Sequence, residues 1–196
     1  RAELGLPDDR CLVGIVATLR SWKGHRYLVE AVAAMKSKVQ LVIVGEGPQQ
    51  EALLAQVAAL GRPDLVRFAG QQADVAPWLR ALDVFALPSY ANEGVPQALM
   101  QAMFTGLPCV TTDADAIGEI AVPGRNAVVI PMQDSEALTA ALSDLLRDPA
   151  WRRALGERAR AHVLDGFTRE RMLDRMSAVF EAAVRPGQPA PGAPVG

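Results

Sequence analysis

Residues Cys11–Gly45, CLVGIVATLRSWKGHRYLVEAVAAMKSKVQLVIVG, decide the fold. Two short runs within them, Leu12–Ala17 and Gln40–Val44, are apolar at nearly every position. A strand with one wet face alternates in polarity, whereas a strand covered on both faces does not. Between the two runs, Arg26–Met35 carries apolar residues at helical spacing. Two buried strands joined through a helix require a right-handed crossover, and hence a parallel pairing.

Outward from this unit the same alternation continues. Strand-like runs recur at Val66–Phe68, Val84–Leu87, Pro108–Thr111 and Ala127–Ile130, with helical patterns at Gln49–Leu60, Val75–Ala81 and Gln97–Thr105. Pro96 before the last of these, and Gly106 after it, punctuate a helix entrance and exit. Asp134, Ser135 or Glu136 caps a further helix through Arg147, and two more follow at Pro149–Val163 and Thr168–Val184. In the first of that pair, Trp151, Ala154, Leu155 and His162 share a face, where a lone His reads as packed or surface-lying rather than as a ligand. The expected fold is α/β: a doubly wound, Rossmann-like parallel sheet with additional C-terminal helices. Residues 1–10 (RAELGLPDDR) read as a linker from an upstream domain, 11–184 as the folded domain, and the Pro/Gly-rich 185–196 as a disordered tail.

Composition narrows the function. The chain has 196 residues, enough to bury roughly 70 % of its extended surface without staples. Twenty Lys and Arg against 22 Asp and Glu give a net charge of −2, which leaves no basic footprint for nucleic acid. No apolar run is long enough to span a bilayer, and no charged-then-apolar leader opens the sequence. Cys11 and Cys109, each inside an apolar run, read as buried reduced thiols of a cytoplasmic protein. His25 and His162 share no usual ligand spacing with them, so no metal site is expected. Eight Arg stand against five acidic residues between Arg147 and Arg175. A solvated, salt-bridged helix face is the first reading, and an anionic membrane or partner surface the second.

In an open parallel sheet, ligands bind beyond the carboxyl ends of the strands. The segments that fall there are Thr18–His25, Gly45–Pro48, Gly70–Asp74, Pro88–Pro96 and Thr112–Glu119. They bring Arg20, Lys23, several glycines and carboxylates to one edge. Lys and Arg suit phosphate, and the helix start at Gly94–Gln97 offers unpaired N–H groups to an anion. Glu93, just before that start, suits a sugar hydroxyl. Lys23-Gly24 lacks the preceding glycine frame of a P-loop, Gly45-Glu46-Gly47 lacks the third glycine of a dinucleotide fingerprint, and Ser89 lies outside any nucleophile elbow. Asp113-Ala114-Asp115 reads as a solvated turn.

Five blocks, at Val13–Ala31, Leu41–Leu54, Val66–Ser89, Glu93–Ile120 and Asn126–Pro131, together resemble the C-terminal, donor-binding domain of GT-B-fold glycosyltransferases of the retaining family 4, also called group 1. The resemblance implies a nucleoside-diphosphate-sugar donor, no cofactor or obligatory metal, and an N-terminal acceptor domain that is missing here. It also implies peripheral membrane association as one possibility for the full-length enzyme. By that resemblance Lys23 contacts the donor diphosphate. The family arginine expected five residues earlier is Thr18 here, with Arg20 as its candidate substitute. Glu93 matches the first glutamate of a Glu-x7-Glu motif facing the donor sugar, and Gln101 stands where the second, ribose-binding glutamate is expected. Gly94, Val95, Pro96 and Gln97 match the loop whose amides meet the diphosphate, and Gln71 and Gln72 border the base. Glu119 matches the glutamate that closes a Gly-Gly-x-x-Glu turn facing the donor sugar, although Asp115-Ala116 replaces the two glycines. Glu93 and Lys23 are the expected catalytic pair. The alternatives are a non-catalytic nucleotide- or sugar-binding module, and another doubly wound enzyme such as a sugar epimerase or a dehydrogenase.

Overall fold

A computed structural model describes residues 1–184; the tail expected at 185–196 lies outside the described residues. Six strands, β1 (Cys11–Val16), β2 (Val39–Val44), β3 (Val66–Gly70), β4 (Val84–Leu87), β5 (Cys109–Thr111) and β6 (Val128–Val129), form one sheet in the order β3-β2-β1-β4-β5-β6. Every pairing is parallel. The doubly wound fold is therefore the one that the apolar runs predict. Chain connections leave β1 toward β2 on one side and β4 toward β5 on the other. The β1/β4 boundary is the point where the winding reverses, and in this architecture ligands bind outside the carboxyl ends of the strands at such a point.

The helices are α1 (His25–Ala34), α2 (Gln50–Ala59), α3 (Ala76–Ala81), α4 (Gln97–Thr105), α5 (Ser135–Arg147), α6 (Pro149–Gly166) and α7 (Arg169–Val184). α1 packs against α2 and α5, while α4 packs against α3 and α6, so both sheet faces are covered. This is why β1 and β2 read as continuous apolar runs: Leu12, Val13, Ile15, Leu41, Val42 and Ile43 are all fully buried. The α5 entrance is capped by Asp134, whose carboxylate accepts the Ala137 N–H at 2.8 Å.

Some expectations change in detail. β6 keeps only two of the four residues in its run. Cys109 is buried, its thiol pushed up by desolvation, but Cys11 at the start of β1 is only half-buried. On α6 the buried positions are Leu155, Gly156, Ala159 and Val163, whereas Trp151 is 36 % exposed. The α4–α6 seam is built from small residues: a Cβ on Gly156 would stand 2.0 Å from the Gly106 carbonyl oxygen. Arg147, Arg153 and Arg171 pair with Asp144, Glu157 and Asp165, in keeping with the solvated reading of the arginine-rich stretch. Among the described residues no helix is long and apolar enough to cross a membrane.

Residues 1–10 lie on the domain. Arg1 reaches the Ala81 carbonyl and the Asp83 carboxylate, each at 2.9 Å, and Leu6 is buried. Asp83 also accepts the Leu12 N–H at 2.7 Å, which ties this segment to the first strand.

Candidate functional site

The loops after β1 and β4 are fastened to each other at the point where the winding reverses. After β1 the chain turns through a 3-10 segment, Ser21–Lys23, and leaves it at Gly24 with φ +75°. Gly24 is needed both for that left-handed backbone and for space, because a Cβ there would stand 2.0 Å from the Pro88 carbonyl oxygen. The Tyr90 N–H donates to the Trp22 carbonyl at 2.8 Å, and the Tyr27 and Tyr90 rings meet edge to face. These contacts hold Lys23 over the loop after β4, where its Nζ lies 2.5 Å from Glu93 Oε1. The Glu93 side chain is 3 % exposed and that of Lys23 is 21 % exposed. A carboxylate so far from water needs its counterion, and an ammonium at the rim remains open to an incoming anion.

A third loop completes the arrangement. The Thr111 hydroxyl donates to the Leu87 carbonyl at 2.9 Å, and the Thr112 hydroxyl donates to the Ser89 carbonyl. Beyond them the Asp115 carboxylate accepts the Glu93 N–H at 2.9 Å, and the Ala116 N–H donates to the Glu93 carbonyl at 3.2 Å. Glu93 is thus gripped by its side chain from one loop and by its backbone from another. Asp115 is the residue that sequence reasoning missed. A non-glycine residue replacing glycine in a tight turn was its visible signal.

Other expected site residues are placed as follows. Gln71 and Gln72, with Thr18, Gly45 and Glu46, line a hollow of about 250 Å³ at the ends of β1 and β2. The Gln71 N–H points at the Glu46 carboxylate at 3.3 Å, and the Gln72 amide donates to the Ala69 carbonyl at 2.7 Å. Pro96 caps the start of α4; Gly94 and Gln97 beside it are exposed and Val95 is half-buried. Gln101 is exposed one turn further along α4, and Glu119 is exposed at the end of the Asp115–Glu119 turn. Arg20 is exposed with its guanidinium 5.7 Å from the Trp22 ring centre, and Glu93 pairs with Lys23 instead. The structure thus brings Lys23 and Glu93 together, gathers Gln71 and Gln72 at one hollow, and turns Arg20 onto an indole.

Two roomier hollows, of about 470 and 380 Å³, are lined by residues such as Cys11 and Met35 or Asp83 and Pro108. Those residues begin strands or end helices, so these hollows lie at the amino ends of the sheet, where this architecture does not bind ligands. Among the described residues no group of three His, Cys, Asp or Glu side chains is placed to hold a metal ion. His25, the first residue of α1, is buried with neither ring nitrogen hydrogen-bonded. Burial lowers it to about 4 and the Lys23 charge adds to the effect, opposed by the nearby Arg20 backbone. It is therefore neutral at pH 7.

Residues 10–148 match the family described as glycosyl transferases group 1. The chain belongs to this family. It is 33 % identical over 189 residues to a lipopolysaccharide core biosynthesis mannosyltransferase, LpcC, of Rhizobium leguminosarum bv. viciae, covering 92 % of this chain and 53 % of that protein. Among solved structures, sucrose-phosphate synthase of Thermosynechococcus elongatus superposes with a TM-score of 0.86 at 29 % identity, over 94 % of this chain and 48 % of that one. HepE of Anabaena, solved in complex with UDP-glucose, superposes with a TM-score of 0.87 at 25 % identity, over 93 % and 51 %. The chain spans about half the length of the curated relatives it matches.

Proposed function

We propose that this chain is the donor-binding half of a cytoplasmic, retaining family 4 glycosyltransferase. In this reading it takes a nucleoside-diphosphate sugar, and an upstream half that binds the acceptor closes over it. The observation that carries the reading is the Lys23–Glu93 pair at the β1/β4 crevice, made from residues 70 positions apart. Support comes from the relatives: one is a mannosyltransferase by name and another was solved with UDP-glucose bound.

In this reading the diphosphate lies against Lys23 and the amides of Gly94, Val95 and Gln97, with Pro96 fixing the entry into α4. Arg20 swings from Trp22 to join it. Lys23 and the helix start stabilise the charge that grows on the departing phosphate as the anomeric carbon gains oxocarbenium character. Glu93, released from Lys23 by the incoming anion, takes a hydroxyl of the donor sugar, and Glu119 borders the same sugar. Gln101 bonds the ribose through its amide, and the base lies by Gln71 and Gln72. The hollow there, at about 250 Å³, is below the roughly 300 Å³ of a whole-ligand pocket and suits one part of a ligand. No metal is invoked. Peripheral membrane contact of the longer protein belongs to the same proposal. Gln101, standing where a carboxylate is expected, favours a second reading, that of a nucleotide-binding module without transfer activity.

The test is calorimetric titration of the chain with UDP, GDP and ADP, with and without magnesium. One nucleotide is expected to bind at micromolar to millimolar strength, about 4–8 kcal/mol, without metal. Lys23→Ala is expected to weaken it, and more so at low salt. Absence of binding by all three overturns the proposal. In a chain joined to its upstream half, sugar transfer lost in Glu93→Gln supports the enzyme over the inert module.

A further inference from the structure

The Glu93 carboxylate is aimed from irregular backbone, the loop Pro88–Pro96, so neither a strand nor a helix fixes its direction. Its direction is set by what holds the Glu93 peptide units. Two bonds from the turn after β5 do so: Glu93 N–H to Asp115 Oδ2 at 2.9 Å, and Ala116 N–H to the Glu93 carbonyl at 3.2 Å. Any residue at 116 other than proline supplies the second bond. Only a side chain with an acceptor at 115 supplies the first.

Asp115 sits at φ +47°, in the left-handed region where glycine is the easy occupant and aspartate one of the few tolerated alternatives. The chain bears a conformational cost there in order to keep a side chain. The Asp115 residue is exposed, and its carboxylate turns inward to the Glu93 N–H. A carboxylate accepting a backbone N–H makes a charge-assisted bond, about twice as strong as a neutral one.

We infer that Asp115 is a positioning residue for Glu93: by holding the Glu93 N–H it points the buried carboxylate toward Lys23 and the donor sugar. This rests on the proposed role of Glu93 as a donor-sugar ligand. Asp115 acts through Glu93 and leaves the diphosphate to Lys23 and the start of α4. Its effect therefore appears in how much the sugar adds to nucleotide affinity, and leaves nucleotide affinity itself in place.

The experiment titrates the chain with UDP, UDP-glucose, GDP and GDP-mannose, and reads the ratio of Kd for the bare nucleotide to Kd for its sugar form. Asp115→Gly removes the acceptor while easing the backbone; Asp115→Asn keeps an amide oxygen and tolerates the left-handed conformation. The Gly variant is expected to bind UDP or GDP within about twofold of the native chain, yet to lose the sugar-dependent gain, with a melting temperature close to native. The Asn variant is expected to retain that gain. A Gly variant that keeps the gain, or an Asn variant that loses it, overturns the inference. Glu93→Gln separates the two layers. If it also keeps the gain, the role of Glu93 fails and Asp115 falls with it. If Glu93→Gln loses the gain and Asp115→Gly does not, only the Asp115 inference fails. If no ligand binds the native chain, both fall.

Discussion

Replacing Lys23 by Met isolates the Glu93 carboxylate in a place where its side chain is 3 % exposed. Breaking a buried ion pair costs about 3–5 kcal/mol, because the surviving charge is left in a poor dielectric. The Lys23 end is 21 % exposed, so water shares part of that charge and the cost falls to about 2–3 kcal/mol. For a chain of this size that lowers Tm by roughly 5–10 °C. Glu93→Gln removes the orphaned charge, so Lys23→Met/Glu93→Gln is expected to be more stable than Lys23→Met alone, with a coupling of about 1.5–3 kcal/mol. Thermal melts of the four proteins make the measurement. A Lys23→Met deficit that Glu93→Gln leaves unrelieved refutes the argument that this carboxylate depends on its ammonium.

Other positions give independent checks. Gly24→Ala forces a Cβ to 2.0 Å from the Pro88 carbonyl at a φ of +75°, and urea denaturation is expected to show a loss of about 3 kcal/mol or more. His25, held neutral at about 4 against an ordinary 6.5, binds its proton more readily unfolded; stability therefore falls as pH drops through 6.5 and goes on falling to about 4. The contribution is about 3 kcal/mol, and His25→Leu is expected to flatten that part of the pH profile; equal slopes for both proteins refute it. Asp134→Ala removes the α5 cap and is expected to cost about 1 kcal/mol in the same urea titration, with Asn at that position restoring most of it.

The sheet was legible because burial on both faces writes itself as uninterrupted apolar runs, as in Leu12–Val16 and Leu41–Val44. Helix limits near caps were legible too: Pro96 and Gly106 bracket α4 as their chemistry dictates. What was not legible depends on neighbours distant in sequence. The close seam at Gly156 is decided by Gly106, fifty residues earlier. The same is true of the site. Lys23 and Glu93 were recognisable as chemistry at strand ends, whereas the ion pair between them exists only because Gly24 lets one loop rest on the other. Asp113 and Asp115 are exposed, as a solvated turn predicts, but nothing local says that the Asp115 acceptor meets an amide 22 residues back.

The register that joins β1 to β4 pairs Val13 with Val84, whereas every other neighbouring pair of strands is linked across 28 residues or fewer, as in Cys11 with Val39. Closing the larger loop forfeits more chain entropy before any contact repays it. The two sub-sheets, β1-β2-β3 and β4-β5-β6, are each assembled from nearer partners, and the β1–β4 pairing is the longest-range strand contact in the sheet. The Lys23–Glu93 pair straddles that joint, so a diphosphate held as proposed would clasp together the two parts of the sheet that the chain itself links most remotely.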